Sequence, residues 1–218
     1  MAFYHIYNRG VDKRNIFQDI NDKQRFLLAI HNSLLLNSPK ISDMERKTRN
    51  EQFEALGSTQ LEKLYGPYIA EIHAYCLMSN HYHIIVKSNS KEELSKFAQR
   101  LGNSYTTFFN KKYTRSGRLF ESKYKKVNID IQEQLIHLTR YIHTNPANLK
   151  YNPLNATQLK NYLWSSLPEY LNKRQGFCQT KDIKSHFKST DSFWQFTLDG
   201  IKSINSDILS NKTLIDHT

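Results

Sequence analysis

Two histidines separated by a single residue, His81 and His83, are the side chains whose types and spacing indicate chemistry most directly. The apolar run that follows them at 84–86 predicts a β-strand. Residues i and i+2 of a strand point to the same face, so the two imidazoles would lie side by side. Such a pair is half of a metal site. The spacing also fits two histidines that face solvent on an edge strand, and this segment alone does not separate the two interpretations.

A tyrosine and an asparagine four residues apart, Tyr141 and Asn145, form the second candidate pair. On a helix this spacing puts both side chains on one face. A phenol oxygen can act as a nucleophile, and an amide oxygen can complete a metal site. The alternative is a surface tyrosine followed by an asparagine that caps the helix. Because the chain has 13 tyrosines, Tyr141 alone carries little information.

An amphipathic helix is predicted to carry this second pair. Apolar residues recur at helical spacing, namely Ile131, Leu135, Leu138 and Ile142. We expect Asp130 to cap the helix, with Glu133 three residues later as in a capping box. Pro146 is expected to end the helix and to move the residue before it out of the helical region.

Four motifs that include these residues resemble, in the same order, those of the single-tyrosine HUH transposases, where two histidines flank a bulky residue. The motifs are YHIYNRG at 4–10, MSNHYHIIV at 78–86, GRLFESKY at 117–124 and RYIHTNP at 140–146. They span roughly residues 1–150. The resemblance is strongest to the branch associated with repetitive extragenic palindromes.

The resemblance implies that Tyr141 is the nucleophile and that His81, His83 and Asn145 are the metal ligands. The divalent metal would be Mg²⁺ or Mn²⁺, and the substrate would be single-stranded DNA with hairpin or palindromic ends. Attack by the tyrosine would give a 5′-phosphotyrosine. His137 lies four residues before Tyr141 and is a further possible ligand.

Other histidines and tyrosines compete for these roles. Tyr124 is the main rival nucleophile, but it lacks an asparagine four residues later. His5 and His73 are expected to be packed or surface histidines. The ring of Tyr82, the bulky residue of the histidine motif, is expected to face outward.

Composition agrees with a nucleic-acid partner. The chain of 218 residues has a formal net charge of +11 and 12% aromatic residues. A basic surplus also fits an anionic surface or a soluble basic protein. Cys76 and Cys178 have no motif spacing, so neither a disulfide framework nor a zinc site is predicted, and Cys76 is expected to be a buried thiol. Without an apolar run long enough for a membrane span or a signal peptide, we expect a cytoplasmic, nucleoid-associated protein.

Basic residues concentrate in two segments, one after the first predicted strand and one at 111–126. The predicted DNA contacts are Arg9, Lys13, Arg14, Lys111, Lys112, Arg115, Arg118, Lys123, Lys125 and Lys126. Phosphate contacts of this kind position a backbone without reading bases. Tyr113, Phe120 and Tyr124 are candidates to stack on unpaired bases. The alternative is a solvated loop, as most charge runs are.

The order of predicted elements indicates an α+β, ferredoxin-like or RRM-like βαββαβ fold with a central antiparallel sheet. Strands are predicted at 3–8, 67–77, 81–88 and within 117–129. Helices are predicted at 19–37 and from 90 to about 113, before the catalytic helix that follows the last strand. A polar insertion is expected at about 38–66. Residues 1–150 would form the transposase domain.

A helical C-terminal extension is predicted at 151–218, for docking or as an accessory DNA-binding module. Trp164 and Tyr170 would anchor it, and short helices are expected at 180–187 and 191–196. The predicted function is that of a metal-dependent DNA transposase or strand transferase. A replication-initiator or relaxase-type nickase and a non-catalytic nucleic-acid-binding module on the same fold remain alternatives, and so do a monomer and a homodimer.

Overall fold

A four-stranded antiparallel sheet forms the centre of the molecule. The computed structural model describes residues 1–38, 58–149 and 153–209. Within them the strands are β1 (Ala2–Arg9), β2 (Ala70–Leu77), β3 (His81–Ser88) and β4 (Lys125–Ile129), in the spatial order β2-β3-β1-β4. This is the order of a ferredoxin-like fold, so the predicted fold class is confirmed.

The helices between the strands begin where side chains can cap them. They are α1 (Ile20–Ser33), α2 (Ser58–Tyr65), α3 (Lys91–Lys112) and α4 (Gln132–Thr144). The side chain of Asp19 accepts from the backbone N–H of Asp22, and Ser90 accepts from that of Glu93, as is usual at helix starts. Helix α1 ends four residues before its predicted end. The part of the predicted insertion at 39–57 lies outside the described residues.

Helix α4 begins and ends differently from the prediction. The predicted capping box at Asp130 and Glu133 is wrong, because the N-cap is Ile131, which has no capping side chain. The backbone N–H of Asp130 instead donates to the side chain of Gln134 at 3.3 Å. Asn145 keeps helical angles (φ −48°, ψ −44°) although Pro146 follows it, because the chain continues into a 3-10 turn, Asn145–Asn148. Asn145 therefore stays on the helical face of Tyr141.

One face of the sheet packs against α1 and α3. Tyr82 lies in this core with 2% of its surface exposed, and its ring contacts Phe26 and Phe120 at centroid distances of 4.8 and 5.9 Å. The predicted outward-facing ring is therefore wrong. The alternation of β3 places His81 and His83 on the opposite face, so the residue between them must enter the first core.

The other face packs against α4 and the C-terminal extension. The extension contains α5 (Ala156–Lys160), α6 (Leu167–Tyr170), α7 (Lys181–Lys184) and α8 (Thr190–Leu209). Tyr170 and Trp194 from the extension are buried in one cluster with Ile85 of β3 and Ile142 of α4. Cys76 is also in this cluster, as a free thiol. The predicted short helix at 191–196 is part of the longer α8.

The extension also covers the open edge of β2. The backbone of Leu77 donates to Trp164 at 2.8 Å, and that of Ser166 donates to Tyr75 at 3.0 Å. Tyr170 is fully buried, and its hydroxyl donates to the carbonyl of His73 at 2.7 Å. An uncovered strand edge can pair with other chains, so this contact protects the sheet. A DNA-binding role for the extension stays a prediction.

None of the described helices is long and apolar enough to cross a membrane.

Candidate active site

The pairing of β1 with β3 places the two candidate histidines directly opposite residues of β1. Tyr7 of β1 lies opposite His83 of β3, and Arg9 lies opposite His81. The imidazole centroids of His81 and His83 are 5.1 Å apart, with their planes perpendicular. The two rings thus lie side by side on one face, as strand alternation predicts.

His83 is buried and held by neighbours on β1. Its Nδ1 shares a hydrogen bond with Nε2 of His5 at 3.0 Å, and its ring stacks on Tyr7 at 5.8 Å. Burial, followed by the charges of the neighbouring imidazoles and of Arg9, lowers the pKa of His83 well below its usual value. A neutral imidazole is the form that binds metal, and in the tautomer in which Nδ1 of His83 donates to His5 the lone pair is on Nε2.

His81 is oriented by its chain neighbour. Its Nδ1 donates to the side-chain oxygen of Asn80 at 2.6 Å, which leaves the lone pair on Nε2. Both histidines therefore hold a hydrogen bond at Nδ1, the arrangement that fixes the tautomer of a metal-binding histidine.

Tyr141 lies over this pair from α4. Its ring is 5.6 Å from that of His83, with the planes at 83°. Four residues later, Nδ2 of Asn145 is buried without a hydrogen-bond partner in the described part of the chain. Because amide oxygen and nitrogen are assigned rather than observed, this buried position suits the oxygen equally well. A buried amide that lacks a protein partner fits the third ligand of a cation.

The protein side chains alone would not form a conventional metal cage. In the described ranges, no three His, Cys, Asp or Glu side chains cluster so as to hold a metal. The histidine pair with one amide oxygen would leave positions open for water and phosphate, as Mg²⁺ and Mn²⁺ sites usually do.

His137 contacts residues of its own helix and of α8. It accepts from Arg140 at 3.0 Å, and its ring contacts Phe196 of α8 at 5.5 Å. Its other nitrogen is 3.8 Å from Glu133. The rival tyrosine, Tyr124, packs against the first core, and its hydroxyl is 3.1 Å from that of Ser95 on α3.

His5 is the site residue that sequence reasoning missed. It was expected to be an ordinary packed or surface histidine, whereas it contacts His83 directly. Its position in the YHIYNRG motif was the available signal, but only the strand register reveals its partner. His73 is fully buried, as expected for a packed histidine.

The predicted DNA contacts divide into exposed and internally bonded residues. Lys13, Lys111, Arg118, Lys123, Lys125 and Lys126 are exposed. Lys125 lies over the ring of Tyr7, and Lys126 over that of Tyr4 on the other face of the sheet, at 5.7 and 5.9 Å. Lys112 instead pairs with Asp19 and Asp22 at 2.6 and 2.7 Å.

Two of the arginines among these predicted contacts donate hydrogen bonds to backbone carbonyls of their own loops. Arg14 donates to the carbonyl of Val11, and Arg115 donates to that of Arg118, each at 3.0 Å. Arg9 lies beside His81 in the sheet register.

A cavity near the N-terminal half of β2 lies elsewhere. It has a volume of about 980 Å³ and lies between α1, the N-terminal half of β2 and the segment at 175–179. None of the candidate metal ligands and neither of the candidate tyrosines lines it.

Comparison with known proteins finds a family match over the segment that carries this site. Residues 42–145, slightly less than half of the chain, match the family described as "Transposase IS200 like". The matched segment contains His81, His83, Tyr141 and Asn145. The resemblance to the single-tyrosine HUH transposases is therefore confirmed over these residues.

More distant comparisons add little. No curated protein matches the chain. One solved structure, described as a REP-associated tyrosine transposase bound to a REP hairpin, aligns at 12% identity over 79% of this chain and 80% of that chain, with a TM-score of 0.49. A likeness at this level carries no argument about the site.

Proposed function

Because residues 42–145 match the IS200-like transposase family, we propose that this chain cleaves and rejoins single-stranded DNA through a covalent 5′-phosphotyrosine at Tyr141. The observation that carries the proposal is the contact between the rings of Tyr141 and His83 within one chain. This contact supports a nucleophile next to one of the two candidate histidine ligands.

His81, His83 and Asn145 would hold the divalent cation, Mg²⁺ or Mn²⁺. When bound, the cation would polarise the scissile phosphate and stabilise the negative charge that develops on the leaving oxygen. His5 and Asn80 would keep the two imidazoles in the tautomer that presents Nε2.

Tyr141 would supply the nucleophile. Its phenol, with a usual pKa near 10, is mostly protonated at neutral pH, so it must lose its proton as the oxygen attacks. The new bond forms between the phenol oxygen and phosphorus, the bond between phosphorus and the 3′ oxygen breaks, and the 3′ oxygen takes up a proton. Rejoining is the reverse attack by a 3′-hydroxyl. The phosphodiester energy is retained in the phosphotyrosine, so ATP is not required.

The exposed basic residues would bind the DNA backbone. Lys125 lies over Tyr7, whose ring stacks on His83, so this lysine is on the face of the sheet that carries the site. The family match supports a single strand with hairpin or palindromic ends as substrate, which the protein would hold by charge and by aromatic stacking.

The test is formation of a covalent adduct. Labelled hairpin oligonucleotides from the DNA that flanks the gene are incubated with the protein in Mn²⁺ or EDTA and separated on a denaturing gel. A metal-dependent shifted band is expected for the wild type and for the control Tyr68→Phe, which lies at the cavity near β2. It is expected to be lost in Tyr141→Phe and His83→Ala.

The other outcomes identify the alternatives. An adduct that survives Tyr141→Phe but disappears in Tyr124→Phe would reassign the nucleophile. Cleavage without rejoining would indicate a nickase. Salt-sensitive DNA binding without any adduct, retained in both site variants, would indicate a non-catalytic binding module.

A further inference from the structure

A second cleft, of about 530 Å³, lies between the loop after β1 and the C-terminal end of α3. Two arginines line it, Arg14 and Arg115, from the two basic segments about 100 residues apart in the sequence. No carboxylate is among its lining side chains. The fold thus joins both basic segments in one concave site that is suited to an anion.

Both arginines retain hydrogen-bond donors for a ligand. Arg14 uses Nε and Nη2, the latter in an exposed pair with Asp12 at 3.4 Å. Arg115 uses Nη1 and Nη2 for Asn110 and Arg118. This leaves Nη1 of Arg14 and Nε of Arg115 unpaired among the residues that the structure describes. Exposed ion pairs contribute little, so the pair with Asp12 does not prevent Arg14 from binding a phosphate.

Two carboxamides in the cleft have the chemistry to read a base. Asn15 and Gln18 are exposed, and their side chains form no hydrogen bond with any described residue. A carboxamide offers a donor and an acceptor side by side, the pattern that pairs with the edge of a base.

The rest of the wall is aromatic. Tyr113 lines it with a half-buried ring, and Phe17 and Phe109 lie beneath with 4% and 1% of their surfaces exposed. The fully buried Asp22 accepts from the backbone of Gln18 at 2.8 Å and from the hydroxyl of Tyr113 at 2.7 Å. Lys112 neutralises Asp22, so the carboxylate organises the wall without opposing an anion. The cleft is therefore held in shape before any ligand binds.

The cleft lies at the end of the sheet that carries the histidine pair. The backbone N–H of Phe17 donates to the carbonyl of Ser79 at 3.0 Å. Ser79 is two residues before His81, which corresponds to at most about 7 Å of extended chain. A strand bound in the cleft is thus close to the proposed site of cleavage.

We propose that this cleft binds one unpaired nucleotide of the single-stranded substrate. Its base would lie against the half-buried ring of Tyr113, Asn15 and Gln18 would read the edge of the base, and Arg14 and Arg115 would bind the phosphate. The inference rests on the proposed function, because it takes the DNA strand as the ligand.

The test measures binding without cleavage. The full chain with Tyr141→Phe, in EDTA, is titrated with the flanking hairpin oligonucleotide in which 2-aminopurine replaces one unpaired base at a time. Fluorescence reports stacking at each position, and the same titration gives the affinity. The double variant Asn15→Ala/Gln18→Ala is compared with Gln99→Ala/Asn103→Ala, which removes one exposed carboxamide of each kind from the middle of α3.

At one unpaired position, the 2-aminopurine fluorescence is expected to change strongly on binding. Asn15→Ala/Gln18→Ala is expected to abolish this change and to lower the affinity for the oligonucleotide about tenfold. Gln99→Ala/Asn103→Ala should keep the fluorescence change and the affinity of the parent protein. The proposal would be overturned if the two double variants gave the same fluorescence and affinity, or if the fluorescence changed equally at every unpaired position. Because no adduct is measured, failure of the proposed phosphotyrosine chemistry would leave this result unaffected, so the two failures are distinguishable.

Discussion

Nε2 of His5 and Nδ1 of His83 are 3.0 Å apart across the paired strands β1 and β3. Both residues are buried, and each ring stacks on Tyr7. We propose that this hydrogen bond orients His83 and that His5 is a positioning residue, which acts on the site through His83.

His5→Ala is expected to lower the affinity for Mn²⁺ by about 10- to 100-fold, because removing the partner of a metal-binding histidine leaves its tautomer and orientation unset. Isothermal titration with Mn²⁺ gives the affinity, and circular dichroism checks the fold. The exposed His186→Ala serves as the control. Unchanged Mn²⁺ affinity in His5→Ala would rule out the positioning role.

The stability of the protein is expected to fall below pH 6.5 because of His143. This histidine is fully buried, Nε2 shares a hydrogen bond with Ser166 at 2.8 Å, and burial lowers its pKa to about 3. In the unfolded chain its pKa is near 6.5. The neutral form is therefore favoured by folding, so its stabilisation is complete above pH 6.5 and is lost as the pH falls towards 3.

Between pH 7.5 and pH 5 the loss from His143 should be about 2 kcal/mol in the free energy of unfolding. Urea unfolding at several pH values measures it. His143→Gln, which cannot titrate, should be less stable at pH 7.5 but should show a shallower pH dependence. A pH dependence identical to that of the wild type would show that His143 does not cause it.

Two adjacent lysines are expected to act in different ways. Lys112→Ala should destabilise the protein by about 2 kcal/mol, because it leaves the buried Asp22 without its ion-pair partner. Lys111→Ala, at an exposed position, should leave stability unchanged. It should instead reduce the salt dependence of binding to single-stranded DNA by about 0.7 in log–log slope.

Urea unfolding and binding at several salt concentrations separate the two effects. If Lys112→Ala weakened DNA binding at unchanged stability, the internal role of Lys112 would be wrong.

Two glycine substitutions should have opposite effects. In Gly10→Ala the new methyl group would collide with the carbonyl of Arg14 and lie 2.7 Å from Ile16, so the loop that carries Arg14 and Asn15 must shift. We expect a loss of about 1–3 kcal/mol. Gly102→Ala in α3 meets nothing within 4 Å and should stabilise by about 0.5–1 kcal/mol. Thermal unfolding compares the two variants, and equal melting temperatures would contradict the steric explanation.

Local spacing predicted much of this structure. The alternation around His81 and His83 and the four-residue spacing of Tyr141 and Asn145 each required only one element, so the sequence was sufficient. The sequence could not supply contacts between distant segments. The bond from His5 to His83 depends on strand register, and the pairing of Lys112 with Asp22 joins helices 90 residues apart.

Whether the ring of Tyr82 is buried or exposed also depends on packing between distant segments. Strand alternation gives the direction of its ring, but only the packing of α1 and α3 shows that this direction leads into a core. The start of α4 was mispredicted for a different reason. Asp130 is a good capping residue, yet the chain enters the helix one residue later, after Ile131.

The sequence of β3 has a consequence for folding fidelity. Tyr82, which fills the first core, lies between the two histidines that form the site. If β3 paired one residue out of register, both imidazoles would turn into the apolar core and Tyr82 would leave it. Such a misfolded sheet would lose its hydrophobic packing and the proposed metal ligands together. A chain with this error of register would therefore lack both a stable fold and the proposed active site.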